Sequence, residues 1–247
     1  MDQRRHSFVH LNLGRQSLMA LKLVWALFFA TWSCWAQPGP APPQPLCANP
    51  GQLFGGGFDI STTTLDAQRV TTADFDGDGD MDVFATSFAG NSFSFFENGG
   101  GSPAAFTEFI VDDEASGAYE VAIADLDADG VKDVVVASGG DGVAWYKFSG
   151  TFPFTFTKTQ LTDPADASAY GVDVVDVDGD GDTDIVYGNW QLNTINYFEN
   201  LGADGTYTFV DHVVATVATP VDVKAADVNS DGAMDLLVAS RSEDKLL

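Results

Sequence analysis

The apolar positions of this chain fall in short runs that recur at a regular spacing. In each recurrence an acidic loop is followed at once by a run such as Val83–Ala85 or Leu236–Ala239. These runs are rich in β-branched and aromatic residues and are too short for helices, so they predict strands. Two further runs follow, as in Phe93–Phe96 and Phe106–Val111, with turn-forming residues between them. The last of these runs lies at Phe154–Thr157 in the second unit and at Tyr207–Val210 in the third. The pattern therefore predicts a repeated unit made of short strands.

The acidic loops show the length of this unit. Their first aspartates lie at positions 74, 125, 176 and 227, so each loop begins 51 residues after the previous one. A valine precedes each loop by four residues, at Val70, Val121, Val172 and Val223. A fixed period in this range indicates a solenoid, a propeller or another array. Four short strands in a unit of about 50 residues are typical of a β-propeller blade.

We therefore predict an all-β fold for residues 53–247, a β-propeller of about four 51-residue blades with four strands each. Phe58–Ile60 aligns with Phe109–Val111 and is predicted to be a lone last strand, which would complete the C-terminal blade and close a ring. The chain ends where the third strand of the fourth blade should begin. The prediction is an incomplete propeller, truncated from a larger ring; a closed four-blade ring is the alternative.

The N-terminal residues have the features of a secretory signal peptide. Basic residues precede an apolar run, Leu23–Trp32, and Ala36 is a small residue suited to a cleavage site. The run is short for a bilayer span, which needs roughly 20 apolar residues. We predict a cleaved signal at residues 1–36, a proline-rich linker at residues 37–52, and a secreted protein without membrane insertion after cleavage. An uncleaved membrane anchor is the alternative.

The charge of the chain argues against two classes of partner. Its 247 residues include 11 Lys and Arg against 36 Asp and Glu, a formal net charge of −25. Nucleic acids and anionic lipids are bound through basic surfaces, so we predict no nucleic-acid partner and no docking on anionic lipid. The chain has two cysteines, too few for a disulfide framework.

Much of the negative charge lies in four nonapeptides, at residues 74–82, 125–133, 176–184 and 227–235. Clustered carboxylates repel one another, and a hard divalent ion with many oxygen ligands relieves that repulsion. The spacing of positions 1, 3 and 5 puts alternate side chains on one side of the turn, and the glycine at position 6 permits a sharp bend. Position 7 varies, which suggests that its backbone carbonyl is the ligand. We therefore predict up to four bound Ca²⁺ ions.

The nonapeptides are not EF-hands, which have flanking helices and a glutamate at position 12. Position 12 is Ala85, Val136, Tyr187 or Val238, within a predicted strand. The loops are therefore predicted to join two strands as calcium-stabilised hairpins. Solvated acidic turns without an ion are the alternative, and Mg²⁺ is less suitable because it keeps more of its water.

At these residues the sequence resembles the FG-GAP-like (VCBS-type) repeat family, whose repeats also build the propeller head of integrin alpha subunits. The resemblance rests on Ala73–Val83 with its three copies, and on the strand ends Phe95–Asn98 and Tyr197–Asn200. It covers about residues 54–247. The Phe-Gly…Gly-Ala-Pro signature of the family is absent, although residues 54–56 match it in part. The resemblance implies a calcium-binding β-propeller, generally extracellular, that is used for adhesion or ligand binding.

The resemblance also implies five calcium ligands in each loop, at positions 1, 3, 5, 7 and 9. They are Asp74, Asp76, Asp78, Asp80 and Asp82; Asp125, Asp127, Asp129, Val131 and Asp133; Asp176, Asp178, Asp180, Asp182 and Asp184; and Asp227, Asn229, Asp231, Ala233 and Asp235. The fourth loop is the weakest of the set, because Asn229 replaces a carboxylate.

The expected function is a secreted calcium-binding module for adhesion or for binding an extracellular protein or carbohydrate. Phe88 and Trp190 occupy equivalent places between the second and third strands and are candidate ligand contacts; packing between blades is the alternative. Paired carboxylates can also act on sugars, so a polysaccharide-active enzyme is a second hypothesis. A catalytic site is normally single, whereas these pairs recur four times, and we therefore predict no enzyme. A purely structural repeat region of a surface protein is the third hypothesis.

Overall fold

The computed structural model describes residues 59–101, 104–165, 168–202, 207–242 and 245–246. The predicted signal peptide, the linker and residues 53–58 of the predicted propeller lie outside this part of the chain. Every regular element within it is a strand, which confirms the all-β prediction. The strands belong to one compact unit whose described part begins at Ser61. None of the described residues forms a helix with the length and hydropathy that a bilayer crossing requires.

The strands form four antiparallel sheets, which we call blades 1 to 4. Blade 1 contains β1 (Ala67–Ala73), β2 (Asp82–Ser87), β3 (Ser92–Asn98) and β4 (Phe106–Asp112); blade 2 contains β5 (Ala118–Ala124), β6 (Asp133–Ser138), β7 (Gly142–Phe148) and β8 (Phe156–Gln160). Blade 3 contains β9 (Ala169–Val175), β10 (Asp184–Asn189), β11 (Thr194–Asn200) and β12 (Phe209–Thr216); blade 4 contains β13 (Pro220–Ala226), β14 (Asp235–Ser240) and β15 (Lys245–Leu246). Within each blade, each strand pairs with the next along the chain. The prediction of repeated four-stranded blades is confirmed for blades 1 to 3.

Two strand predictions need correction. The fourth strands of blades 2 and 3 begin at Phe156 and Phe209, two residues later than predicted. Phe154 and Tyr207 pack against hydrophobic clusters without entering the ladder, so their hydrophobicity reflects burial and does not mark the strand boundary. The predicted lone strand is wrong for its two described residues, Asp59–Ile60, because no strand pairing forms there.

Hydrophobic side chains fill the space between successive blades. Phe84 of blade 1 and Tyr146 of blade 2 belong to one cluster, and Trp145 of blade 2 and Tyr187 of blade 3 belong to the next. A third cluster includes Val223 of blade 4 and residues of blade 3. Close packing between sheets is the main favourable contribution to such a fold, so each blade depends on its neighbours.

The valine before each acidic loop shows where this packing ends. Val121, Val172 and Val223 are 8%, 0% and 0% exposed, because each lies in the cluster shared with the preceding blade. Val70, at the same position of blade 1, is 68% exposed. The leading face of blade 1 is therefore uncovered at this residue.

Position 2 of the acidic loops shows the same effect at the other end of the array. Phe75 and Leu126 are buried against the following blade, whereas Val228 of blade 4 is 47% exposed. The described blades thus form an open, incomplete propeller, as predicted.

Candidate functional site

The acidic loops all lie at the same end of the blades. Each one connects the first and second strands, and its ninth residue is the first residue of the second strand, as Asp82 is for β2. The prediction that the nonapeptides join two strands is therefore confirmed. The fold presents four acidic hairpins side by side.

The loops turn sharply because two of their residues have left-handed backbone conformations. Position 6 is glycine in every loop, with φ of 87° at Gly130 and 97° at Gly79. Position 4 is also left-handed, with φ of 80° at Gly77, 53° at Ala128 and 61° at Ser230. This conformation costs a non-glycine residue roughly 1–2 kcal/mol. A bend was predicted at position 6 only, although the glycines at position 4 of loops 1 and 3 also indicate one.

Three of the loops gather carboxylates into compact groups. In each group, one carboxylate oxygen per residue lies within 4.8 Å of the others. The groups are Asp74, Asp76 and Asp78; Asp125, Asp127 and Asp133; and Asp176, Asp178 and Asp180. The donors are all hard carboxylate oxygens, the type that Ca²⁺ prefers. These acidic clusters can hold a metal ion.

The other predicted ligands do not belong to these groups. They are Asp80, Asp82, Asp129, Val131, Asp182, Asp184, Asp227, Asn229, Asp231, Ala233 and Asp235. Among the described residues of the fourth loop, no such carboxylate group forms. Asn229 stands there at the third position, where loops 1 to 3 have an aspartate.

The aspartate at position 9 has a structural role that was not predicted, in addition to its predicted role as a metal ligand. Asp82 is fully buried, and its two oxygens accept hydrogen bonds from the backbone N–H groups of Phe75 and Asn98, both at 2.9 Å. Asp184 accepts the equivalent bonds from Val177 and Asn200, both at 2.8 Å. The position therefore ties the loop to the end of the third strand. Its identity as aspartate in all four repeats was the available signal.

Burial and mutual repulsion raise the cost of ionising these carboxylates. Burial raises the pKa of Asp133 to about 6 and also raises the pKa of Asp184. Burial likewise raises the pKa of Asp76, and the carboxylates of the same loop add to the shift. Glu97 beside loop 1 has a raised pKa from burial and from the charges of Asp76 and Asp82. A divalent cation would relieve this repulsion.

The second loop differs from the first and third in that a lysine ammonium contacts its carboxylates. Beside loop 1, the Lys132 ammonium donates to the backbone carbonyl of Asp74 at 3.2 Å. The Lys147 ammonium contacts Asp127, whose side chain is fully buried, and lies 3.0 Å from Asp129 Oδ2. Strand pairing places Glu97 and Glu199 at the equivalent positions of blades 1 and 3. Loop 2 is therefore partly neutralised within the chain, whereas loop 1 gains a further negative charge from its neighbour.

Phe88 and Trp190 lie at the opposite end of the blades, in an aromatic group with Tyr119 and Tyr170. Ring centroids are 6.5 Å apart for Phe88 and Tyr170, 5.1 Å for Tyr119 and Tyr170, and 6.0 Å for Tyr170 and Trp190. The group bridges blades 1 to 3, yet Trp190 remains 39% exposed. Phe88 thus packs against Tyr119 and Tyr170 of the next two blades, whereas Trp190 packs on Tyr170 of its own blade, and both retain accessible surface. Their contact with a ligand stays a prediction.

Comparison with known protein families identifies the family to which the chain belongs. A model of the FG-GAP-like repeat matches residues 74–136, 125–187 and 176–238. The matches span more than half of the sequence, and each runs from one acidic loop into the second strand of the next blade. The chain belongs to the FG-GAP-like repeat family, as its acidic nonapeptides predicted.

A solved structure supports the propeller fold. The structure of BBS1N in complex with ARL6DN, soaked with lead, is similar with a TM-score of 0.50 and 15% sequence identity. The similarity covers 74% of this chain and 54% of that chain, so this protein spans about half the length of the solved relative. At this identity the likeness concerns the fold alone. Comparison with curated proteins gives no match.

Proposed function

We propose that this protein is a secreted, calcium-binding β-propeller module for adhesion or for binding an extracellular protein or carbohydrate. The observation that carries the proposal is the recurrence of a compact carboxylate group in three successive blades, at the same end of the fold. Secretion is inferred from the sequence of residues 1–36. N-terminal sequencing of protein recovered from the culture medium tests it.

Calcium suits these groups better than other common metals. Their donors are oxygens without sulfur or nitrogen, and the loops contribute several carboxylates each, whereas Mg²⁺ usually keeps several waters and takes few protein ligands. Bound ions would stabilise the hairpins between the first and second strands. The ligand-binding surface would then lie elsewhere, and the partly exposed aromatic group around Tyr170 is the candidate for it.

Thermal unfolding with calcium or with a chelator tests the proposal. A ligand that binds the folded state alone, at 100 times its Kd, stabilises that state by about 2.7 kcal/mol. We expect Tm to rise with added Ca²⁺ and to rise less with the same concentration of Mg²⁺. Coincident melting curves in calcium and chelator would contradict calcium binding.

A matched set of variants assigns the effect to the loops. Asp76→Asn with Asp178→Asn removes one carboxylate from the groups of loops 1 and 3, and should abolish most of the calcium-dependent rise in Tm. Asp113→Asn with Glu114→Gln removes two exposed carboxylates outside the loops, the same loss of charge, and should leave the rise unchanged. An equal loss in both proteins would show that only net charge matters. A glycan array and a pull-down from extracellular material then address the ligand.

A further inference from the structure

Six aspartates of the acidic loops are followed directly by glycine. They are Asp76, Asp78, Asp129, Asp178, Asp180 and Asp231. An aspartate rearranges to isoaspartate when the backbone nitrogen of the next residue attacks its side-chain carboxyl group. Glycine favours this attack, because it has no Cβ to crowd the nitrogen and its backbone is conformationally free. Each of the six Asp-Gly bonds is therefore a candidate for this covalent change.

Five of the six glycine amides donate hydrogen bonds within their own loops. At position 4, the N–H groups of Gly77 and Gly179 donate to Oδ1 of the aspartate at position 1, at 3.0 and 2.7 Å. At position 6, the glycines of loops 2, 3 and 4 donate to Oδ2 of the same aspartate, at 2.9, 3.1 and 2.9 Å. The nitrogen of such an amide becomes available only when its hydrogen bond opens, so these five Asp-Gly bonds are protected.

The amide of Gly79 is the exception. Its N–H donates no hydrogen bond to any residue that the structure describes, although the N–H groups of Gly77, Asp78 and Asp80 around it all donate. Asp78 and Gly79 are both exposed, and a Cβ built on Gly79 would meet nothing within 4 Å. The Gly79 nitrogen is therefore open both to water and to the side chain that precedes it.

Loop 3 provides a matched comparison within the same chain. Gly181 is exposed like Gly79, and its φ is 101° against 97° at Gly79. The Oδ1 atoms of Asp180 and Asp78 each accept the N–H of the residue two positions further on, at 2.9 and 2.8 Å. The two aspartates are thus held alike, and the two Asp-Gly bonds differ in whether the glycine N–H has an acceptor.

We propose that the Asp78–Gly79 bond is a site of spontaneous isoaspartate formation in the calcium-free protein. The Gly79 nitrogen bonds to the side-chain carboxyl carbon of Asp78 and closes a succinimide ring. One carboxylate oxygen, the amide hydrogen and a proton from solvent leave together as water. Hydrolysis then breaks the bond between this nitrogen and the original main-chain carbonyl carbon, and water supplies the oxygen of the new α-carboxylate. The reaction needs no reactant other than water.

The rearrangement removes a carboxylate from the compact group of loop 1, to which Asp78 belongs. Isoaspartate lengthens the backbone by one carbon and shortens the side chain by one, so its carboxylate no longer reaches the group. Loss of calcium affinity in loop 1 is the expected consequence, and this consequence rests on the proposed calcium binding. The rearrangement itself does not. The Asp78 carboxylate should react more slowly when it is a calcium ligand, because its oxygens are then held by the ion.

Incubation of the full chain with a chelator, in water labelled with heavy oxygen, tests the proposal. Each succinimide that hydrolyses takes up one labelled oxygen atom, and mass spectrometry of the digested protein locates the label. Label should accumulate at Asp78 at least threefold faster than at Asp180, and fragmentation of the Asp78 peptide should identify isoaspartate. Equal rates at the two positions, or an unlabelled Asp78, would overturn the proposal.

Two variants test the reason for the difference. Asp78→Glu forms no succinimide and should take up no label at this position, while labelling at Asp180 stays unchanged. Asp176→Ala removes the acceptor of the Gly181 N–H and should raise labelling at Asp180 to the rate at Asp78. Unchanged labelling at Asp180 in this variant would reject hydrogen bonding as the protection. If Asp176→Ala does not fold, the comparison of Asp78 with Asp180 in the unmodified chain decides.

The same incubation with Ca²⁺ separates this inference from the proposed function. Slower labelling at Asp78 together with a higher Tm supports both. A higher Tm with unchanged labelling contradicts the protection of Asp78 and leaves calcium binding by the protein intact. Unchanged Tm and unchanged labelling, with Asp78 still ahead of Asp180, rejects calcium binding and supports the rearrangement site.

Discussion

Loops 1 and 2 have left-handed residues at the same two positions, but the side chain beside each loop has the opposite charge. Loop 1 has an aspartate at five of its nine positions, and Glu97 beside it adds a further carboxylate. Loop 2 has four aspartates, and Lys147 contacts two of them. The first loop therefore has more uncompensated negative charge, whereas the charge of the second is partly neutralised by a lysine of the chain itself.

This difference shows that loops with the same sequence motif need not have the same affinity for calcium. Calcium entering loop 2 must compete with an ammonium group that is already in place. The ion pair that it displaces includes the fully buried Asp127, so the competition is costly. We expect loops 1 and 3 to bind calcium more tightly than loop 2.

The largest expected effect concerns what the two loops share, the buried aspartate at position 9. Asp82→Ala removes the acceptors for the N–H groups of Phe75 and Asn98, and should lower the free energy of unfolding by about 2–4 kcal/mol. Asp133→Ala should have a similar effect, because Asp133 accepts the same kind of bonds from Leu126 and Phe148. Urea denaturation in chelator measures both without a contribution from calcium.

The control for this pair is Asp80→Ala, at exposed position 7 of loop 1. It should change the free energy of unfolding by less than about 0.5 kcal/mol in chelator. A loss of the same size at positions 7 and 9 would mean that the buried hydrogen bonds of Asp82 are not what ties the loop to the third strand.

The second largest effect concerns Lys147, the cation that loop 2 has and loop 1 lacks at the equivalent position. Lys147→Met removes the cation but keeps the stem, and in chelator should cost about 1–3 kcal/mol, because it leaves the Asp127 carboxylate buried without its partner. In calcium the same variant should bind the ion in loop 2 about tenfold more tightly. Chemical denaturation in chelator measures the first change, and calcium titration by calorimetry measures the second.

The reciprocal substitution in loop 1 provides the check. Glu97→Lys places an ammonium where blade 2 has Lys147, and should weaken calcium binding by loop 1 about tenfold. If Lys147→Met and Glu97→Lys change calcium affinity in the same direction, the side chain at this position does not set the difference between the loops.

The smallest effect concerns position 4, where loop 1 has glycine and loop 2 has alanine. Ala128 has a φ of 53°, so Ala128→Gly should raise the free energy of unfolding by about 0.5–1 kcal/mol. Gly77→Ala should lower it by about 1 kcal/mol through the backbone alone, since a Cβ there would meet nothing within 4 Å. Urea denaturation should show that the two substitutions change the free energy of unfolding in opposite directions. A change in the same direction would contradict a strained turn in loop 2.

Much of the fold followed from local patterns in the sequence. The period of 51 residues and the short apolar runs predicted the blades, and the nonapeptides predicted hairpins between first and second strands. The boundaries at Phe154 and Tyr207 were wrong because a buried aromatic residue looks the same whether or not its backbone joins a ladder. The sequence predicted which loops contain the carboxylate clusters. It did not predict the residues of other strands that contact these clusters, such as Lys147.

What the sequence determined by itself is the repeated unit, because strand formation and turn formation depend on residues close together in the chain. Only the tertiary structure decided that Lys147 faces loop 2 and that Val70 is exposed where Val172 is buried. These relations join residues from different strands or blades. Their energies depend on distances that arise only when the blades pack, so a pattern read along one repeat could not contain them.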